Sequence, residues 1–415
     1  MANLNDTLSK VETIELANGL KVYNLHQPNK PFVQLAAIVH SGCLRDTDEA
    51  LGTAHYLEHM LCVNSGYPTL NELMNSFADD GGHYNAMTAY GSTGFYFKIP
   101  NDSATMKRRM KFLSDICFAS PLDQHLERER KVILQEYDKS HESAKLRDAH
   151  EAAHASLYTG TQVSRSENAL GTTDGINAVT SDVLKDFYTQ NYTPSNMSIV
   201  CVGGISTNDL VSQLEEAGFA QTGPELAPQE YGSMQKPNST NLQFDIDPDL
   251  PIAQKSCDVS RYVLTNKSNA VGSVYGQSVS QLLMDRLREE MALTYHTYTR
   301  LSNWTPFTEV ALEVEGVPSN QAEVAAETVL DVLNQTKQHS DLIEATKQRL
   351  IIKEKMADRN TDGLFQKILM PIFLQQPLLS SSEYIETINA VTPEDVFSVT
   401  DALLGDQAMT VTIHK

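Results

Sequence analysis

The pentapeptide Ile-Asn-Ala-Val-Thr occurs twice in this chain of 415 residues, beginning at Ile176 and at Ile388, an offset of 212. Each copy leads into a segment with acids where a helix would begin (Asp182; Glu394 and Asp395), as the positive end of a helix favours. Each then reaches an apolar, β-branched run, Met197-Ser198-Ile199-Val200-Cys201 and Met409-Thr410-Val411-Thr412-Ile413, again 212 apart. A chance match of five residues would not keep the following strand in register. The repeat therefore predicts two related α+β domains in tandem, each closing on a helix followed by a strand. Between Thr222 and Thr240 the composition turns to Pro, Gly and Ser. The expected division is residues 1–222, a linker at 223–240, and a second domain at 241–415.

Local patterns fill in the first half. Val11 to Leu25 reads as a hairpin around Ala-Asn-Gly-Leu. Val33 to His40, Tyr84 to Ala89 and Phe95 to Ile99 read as strands, and Gly52 to Leu61 and Met106 to Phe118 as helices. The expected fold is two α/β-sandwich domains, with mostly antiparallel sheets covered by helices.

Charge narrows the partners. Thirty-two basic residues against 53 acidic ones leave a net charge of −21, which repels nucleic-acid phosphates and anionic membrane surfaces. No run of about 18 apolar residues suggests a membrane span, and the opening MANLNDTLSK lacks a basic-then-apolar signal pattern. A soluble cytoplasmic protein is expected, or an organelle-matrix protein from which a transit peptide has been removed. The five cysteines (Cys43, Cys62, Cys117, Cys201, Cys257) are scattered and form no Cys-x-x-Cys, which argues against a disulfide framework or a thiolate metal site.

Two stretches could bind a metal. In His55-Tyr56-Leu57-Glu58-His59 the imidazoles are four residues apart, one helical turn, so both can reach one ion, with Glu58 beside the second. The bland alternative is a surface helix with incidental histidines. His150-Glu151-Ala152-Ala153-His154 satisfies the ordinary H-E-x-x-H pattern. Its extended form fails, because Leu157 stands where glycine is required and Gly160 where the last histidine is required. No glutamate lies between Glu167 and Glu215 to serve as a third ligand one helix further on. Coincidence is the better account of that segment.

Downstream of the first motif, the helical stretch Glu127 to Glu136 places Glu129 and Glu136 seven apart, on one face, with 69 and 76 residues separating them from His59. Here the chain resembles the pitrilysin/insulinase family of zinc peptidases. The resemblance extends through Gly52 to Leu61, through Gly81-Gly82-His83-Tyr84-Asn85-Ala86-Met87-Thr88, and through Leu287 to Tyr295 in the second half. Two departures stand out. Cys62-Val63-Asn64-Ser65-Gly66 occurs where many relatives have Phe and a basic loop, and Ala292 occurs where relatives usually have glycine.

The resemblance implies one Zn²⁺ per chain, with His55, His59 and Glu136 as ligands and Glu58 as the general base. It assigns Glu129 to orienting a ligand or tuning the site, and Asn85 and Ala86 to an edge strand that binds extended peptide. Arg288 and Tyr295 would bind substrate, with Tyr295 also a donor to the oxyanion; His83 is expected to be structural. The implied activity is peptide-bond hydrolysis, on peptides or small unfolded polypeptides, in a dimeric chamber. A homodimer is expected, with a heterodimer involving an inactive relative left open. The competing reading is a non-catalytic structural or assembly subunit.

Overall fold

The computed structural model describes residues 6–304, 307–357 and 360–415. The chain forms two compact units: Met1–Lys139 with Asn168–Glu230 and Ala357–Ser381, and Ser140–Glu167 with Tyr231–Met356 and Ser382–Lys415. Relative to the division expected at 223–240, each half of the sequence lends one segment to the other unit.

The first unit contains strands β1 (Glu12–Glu15), β2 (Lys21–His26), β3 (Phe32–Val39), β4 (His83–Thr88), β5 (Thr93–Pro100) and β6 (Met197–Gly203). They lie in the order β1-β2-β6-β3-β5-β4, so β4 is an edge. Only the β2/β6 pair is parallel. β6 is buried along its whole length and β3 along nearly all of it, because both sheet faces are covered. Leu35 and Ala37 of β3 face a core with α1 (Thr53–Val63), α2 (Leu70–Asp79) and α3 (Ser103–Phe118), which contribute Leu57, Phe77 and Leu113 among others. Ala36 and Ile38 face the opposite way, against Leu364, Phe365, Ile368 and Ile372 of the helix Thr361–Phe373. Asp362 at the start of that helix accepts from Gln34 Nε2 at 2.9 Å and pairs with Lys98 Nζ at 2.7 Å.

The second unit repeats the plan with β7 (Asn241–Asp245), β8 (Ser256–Thr265), β9 (His296–Trp304), β10 (Phe307–Pro318) and β11 (Met409–His414), in the order β7-β11-β8-β10-β9. β11 is parallel to β7 and antiparallel to β8, as β6 is to β2 and β3. One face of this sheet packs on the helices Asn269–Leu283, Ala322–Gln335 and Pro393–Leu404. The other is touched by α5 (Ala144–Leu157), after which the Tyr158 hydroxyl donates to Glu309 Oε2 of β10 at 2.8 Å.

The pentapeptide does the same work in both units. Ile176 and Val179, and equally Ile388 and Val391, are buried. Thr180 and Thr392 then cap the next helix by accepting from the backbone N–H of Val183 and of Asp395. Among the described residues, no helix is long and apolar enough to cross a membrane.

Candidate metal centre

α1 is set in place from its N-terminus. Gly52 adopts φ 102°, and a Cβ there would meet the Leu170 carbonyl oxygen at 2.5 Å, so glycine is required. Asp46 accepts from the backbone N–H of Gly52 and of Ala54 at 2.7 and 2.9 Å, satisfying donors that a helix start leaves free. All of α1 except His59 is buried, which removes the surface-helix account of the histidines.

α4 (Leu126–Lys139) is held against α1 and the first copy of the pentapeptide. The Tyr56 hydroxyl donates to the Leu126 carbonyl at 2.5 Å. Arg130 donates to the Val179 carbonyl at 2.8 Å and also to that of Ile176. With α4 fixed in this way, Glu136 meets the two imidazoles: His55 Nε2 lies 3.8 Å from Oε1, and His59 Nε2 lies 3.4 Å from Oε2. Two atoms bound to one tetrahedral zinc at about 2.1 Å sit about 3.4 Å apart, so this donor set has the right chemistry and spacing for that ion. Among the described residues, His55, His59 and Glu136 are the one group of three offering ligand atoms within 4.8 Å of one another.

Glu129 occupies the other side of His59, with Oε2 3.5 Å from Nδ1, and its Oε1 accepts from Arg128 Nε at 2.8 Å. Burial opposes a charge on Glu129, yet His59 and Arg128 hold its pKa below the usual carboxylate value. His59 itself is pushed up to about 9, because Glu129 and Glu136 outweigh the burial that would lower it. His55 is lowered to about 4, chiefly by burial. Glu136 is held low, first by its bond with His59.

Glu58 is largely buried, and burial raises its pKa. The Thr88 hydroxyl donates to its Oε2 at 2.7 Å. Sequence reasoning missed Thr88. The available signal was strand period: Thr88 lies two residues beyond Ala86 on β4, and therefore on the same face. Glu58, His59 and Glu129 line a cleft of about 380 Å³, together with Tyr84, Asn85 and Ala86 of the edge strand. Asn85 Nδ2 donates to the Tyr96 hydroxyl at 2.8 Å. His83 lies exposed at the start of β4, paired in register with Lys98.

The remaining expected residues lie in the second unit. The Arg288 guanidinium carbon stands 4.2 Å from the centre of the Tyr295 ring, and Tyr295 is 68% exposed. Ala292 between them has φ 49°, the left-handed conformation that glycine adopts without strain. His150 stacks near His141, with ring centres 5.2 Å apart, while His154 Nε2 lies 2.8 Å from the Val163 carbonyl. The H-E-x-x-H segment is thus spent on packing α5 within the second unit.

A family model described as Insulinase (Peptidase family M16) matches residues 21–169, and one described as Peptidase M16 inactive domain matches residues 178–350. The chain is 31% identical over 250 residues to the mitochondrial-processing peptidase subunit beta of Lentinula edodes, a match covering 58% of this chain and 52% of that protein. It is 23% identical over 383 residues to the zinc protease YmxG of Bacillus subtilis, covering 91% and 92%. The periplasmic protease PqqL of Escherichia coli has the same fold over 97% of this chain and 47% of that one, with a TM-score of 0.80 at 20% identity. The chain thus spans about half the length of some of the proteins it matches.

Proposed function

Because the chain belongs to the insulinase family of peptidases, family M16, we propose that it is a zinc-dependent endopeptidase acting on peptides or small unfolded polypeptides. The observation that carries this reading is the convergence of His55, His59 and Glu136, with Glu58 in the wall of the adjoining cleft. Those three side chains would hold the zinc. When bound, the ion supplies a Lewis acid that polarises a peptide carbonyl and acidifies water.

Glu58 is the general base. Thr88 ties up Oε2, which leaves Oε1 to take a proton from water and later deliver it to the leaving amine. Glu129, itself braced by Arg128, orients His59 through Nδ1. β4 is the edge of its sheet, so Asn85 and Ala86 are placed to receive an extended peptide as an added strand, read mainly through its backbone. Arg288 and Tyr295 bind substrate in the assembled enzyme, with Tyr295 donating to the oxyanion. A homodimer is the expected assembly, since one chain carries every part of the site. In a heterodimer, an inactive relative would be the other subunit.

Metal analysis and peptide cleavage test this directly. Wild type should hold one zinc per chain, and Glu58→Gln should keep the zinc while losing about 10²- to 10⁴-fold in kcat/KM. Glu151→Gln should keep both properties. A wild type that binds no zinc and cleaves nothing would establish the structural-subunit reading instead.

A further inference from the structure

We infer that Gln375 is a positioning residue for the general base, acting on Glu58 through the turn that joins β4 to β5. The inference rests on the peptidase reading above and adds to it a residue from the far half of the chain.

The helix Thr361–Phe373 ends in a way that suits glycine. The backbone N–H of Gln375 donates to the Ile372 carbonyl at 3.1 Å, and that of Gln376 donates to the Pro371 carbonyl at 2.8 Å. This pair of bonds goes with a left-handed residue just past the helix cap, and Gln375 accordingly adopts φ 54°. Glycine takes that conformation freely, whereas the Cβ of glutamine strains it. Such strain persists where the surroundings hold the residue in place. Here the side chain is held by the β4–β5 turn: Gln375 Nε2 donates to the Gly91 carbonyl at 2.8 Å. A Cβ at Gly91 would stand 3.0 Å from that nitrogen, so the amide lies directly against the backbone of the turn.

The turn, Ala89 to Ser92, is gripped at three successive carbonyls. The Cys43 N–H donates to that of Ala89 at 3.1 Å, the Leu44 N–H to that of Tyr90 at 3.0 Å, and Gln375 to that of Gly91. The first two donors follow β3, and the third comes from the helix on the sheet face turned away from α1. Thr88 and Thr93 pair in register at the two ends of the turn. Thr93 Oγ1 donates to the Ser41 carbonyl at 3.0 Å, and Thr88 Oγ1 donates to Glu58 Oε2 at 2.7 Å. Holding the turn therefore holds the strand end from which the Thr88 hydroxyl reaches Glu58. Release at Gly91 lets Thr88 shift, and the bond that aims Glu58 weakens.

The test uses the zinc-loaded full chain and an unstructured peptide that wild type cleaves. Gln375→Gly cuts the tether and relieves the strain, while Gln375→Ala cuts the tether and keeps the strain. Both should lower kcat about threefold with KM and zinc content unchanged, because the base is misplaced while peptide and metal are still held. Gln375→Ala alone should lower the melting temperature. In a Thr88→Val background, Gln375→Gly should cause no further loss of kcat, since the two residues act through one path. The Cys43 and Leu44 amides, whose acceptors lie in the turn, should exchange hydrogen faster in Gln375→Gly than in wild type. An unchanged kcat in Gln375→Gly, a loss that tracks melting temperature, a full further loss in Thr88→Val, or unaltered exchange overturns the inference and leaves the peptidase reading intact. Zinc-loaded wild type that cleaves no peptide overturns both.

Discussion

In each unit a long helix lies against the edge of the sheet: α1 beside β4 in the first, Asn269–Leu283 beside β9 in the second. The first presents His55, Glu58 and His59 at that place. The second presents Gly272, Ser273, Gly276 and Gln277, and its cleft of about 360 Å³ holds no carboxylate or imidazole. Cβ atoms at Gly272 and Gly276 would stand 3.4 to 3.5 Å from Leu301, an ordinary van der Waals contact, so the helix lies on the edge strand at normal packing distance. Ser280 Oγ completes that contact by donating to Thr299 Oγ1 at 2.9 Å. One scaffold therefore serves two ends. In the second unit small side chains lie between helix and strand, while in the first three larger polar ones stand beside a second helix at a cleft and offer ligand atoms for a metal.

After Glu58→Gln, the largest expected effect is at His154 of the second unit. His154 is partly buried, and burial chiefly lowers its pKa to about 4 from an unfolded value of about 6.5. A folded value below the unfolded one gives stability that is complete above about pH 6.5 and is lost as pH falls toward 4. For His154 this amounts to about 3 kcal/mol. Thermal unfolding of wild type and His154→Gln from pH 7 to 4.5 should show a shallower acid loss in the variant. Equal slopes would mean that His154 is not buried neutral as its packing implies.

A smaller effect is expected at Glu129 of α4. Glu129→Gln should retain the zinc site but weaken zinc binding about 10- to 100-fold, measured by competition with a chelator, because it removes the carboxylate charge that faces His59 Nδ1. No change would reduce Glu129 to a partner of Arg128. Thr88→Val keeps the shape of the strand and removes the hydroxyl that holds Glu58, and it should lower kcat about tenfold with little effect on KM. Thr88→Ser should restore most of that loss, which a purely steric role for Thr88 would not allow. The smallest change is in the second unit. Ala292→Gly relieves a left-handed alanine, and the gain, offset by glycine's greater unfolded freedom, should raise stability by about 0.5 kcal/mol. Destabilisation would show that the Ala292 methyl is needed for packing.

Much of the candidate site was legible because its spacings are local. His55 and His59 are one turn apart, and Glu129 and Glu136 two turns apart, so helical geometry alone puts each pair on one face. What joins α1 to α4 was not legible. Arg130 reaching the Val179 carbonyl and Tyr56 reaching that of Leu126 span dozens of residues, and no periodicity encodes such contacts. The same holds for Thr88, whose distance in sequence from Glu58 says nothing until β4 is laid beside α1.

The repeat, read from five residues and the strand that follows, determined two related halves, and the paired order of β6 and β11 in their sheets bears that out. The long apolar runs of β3 and β6 further required that both faces of the first sheet be covered. They could not say by what. Only the tertiary structure decided that the helix Thr361–Phe373, from the far half of the chain, covers the first sheet, and that α5, from the near half, lies on the second. An apolar face specifies the area it must bury but not the sequence that buries it, because hydrophobic burial is non-directional.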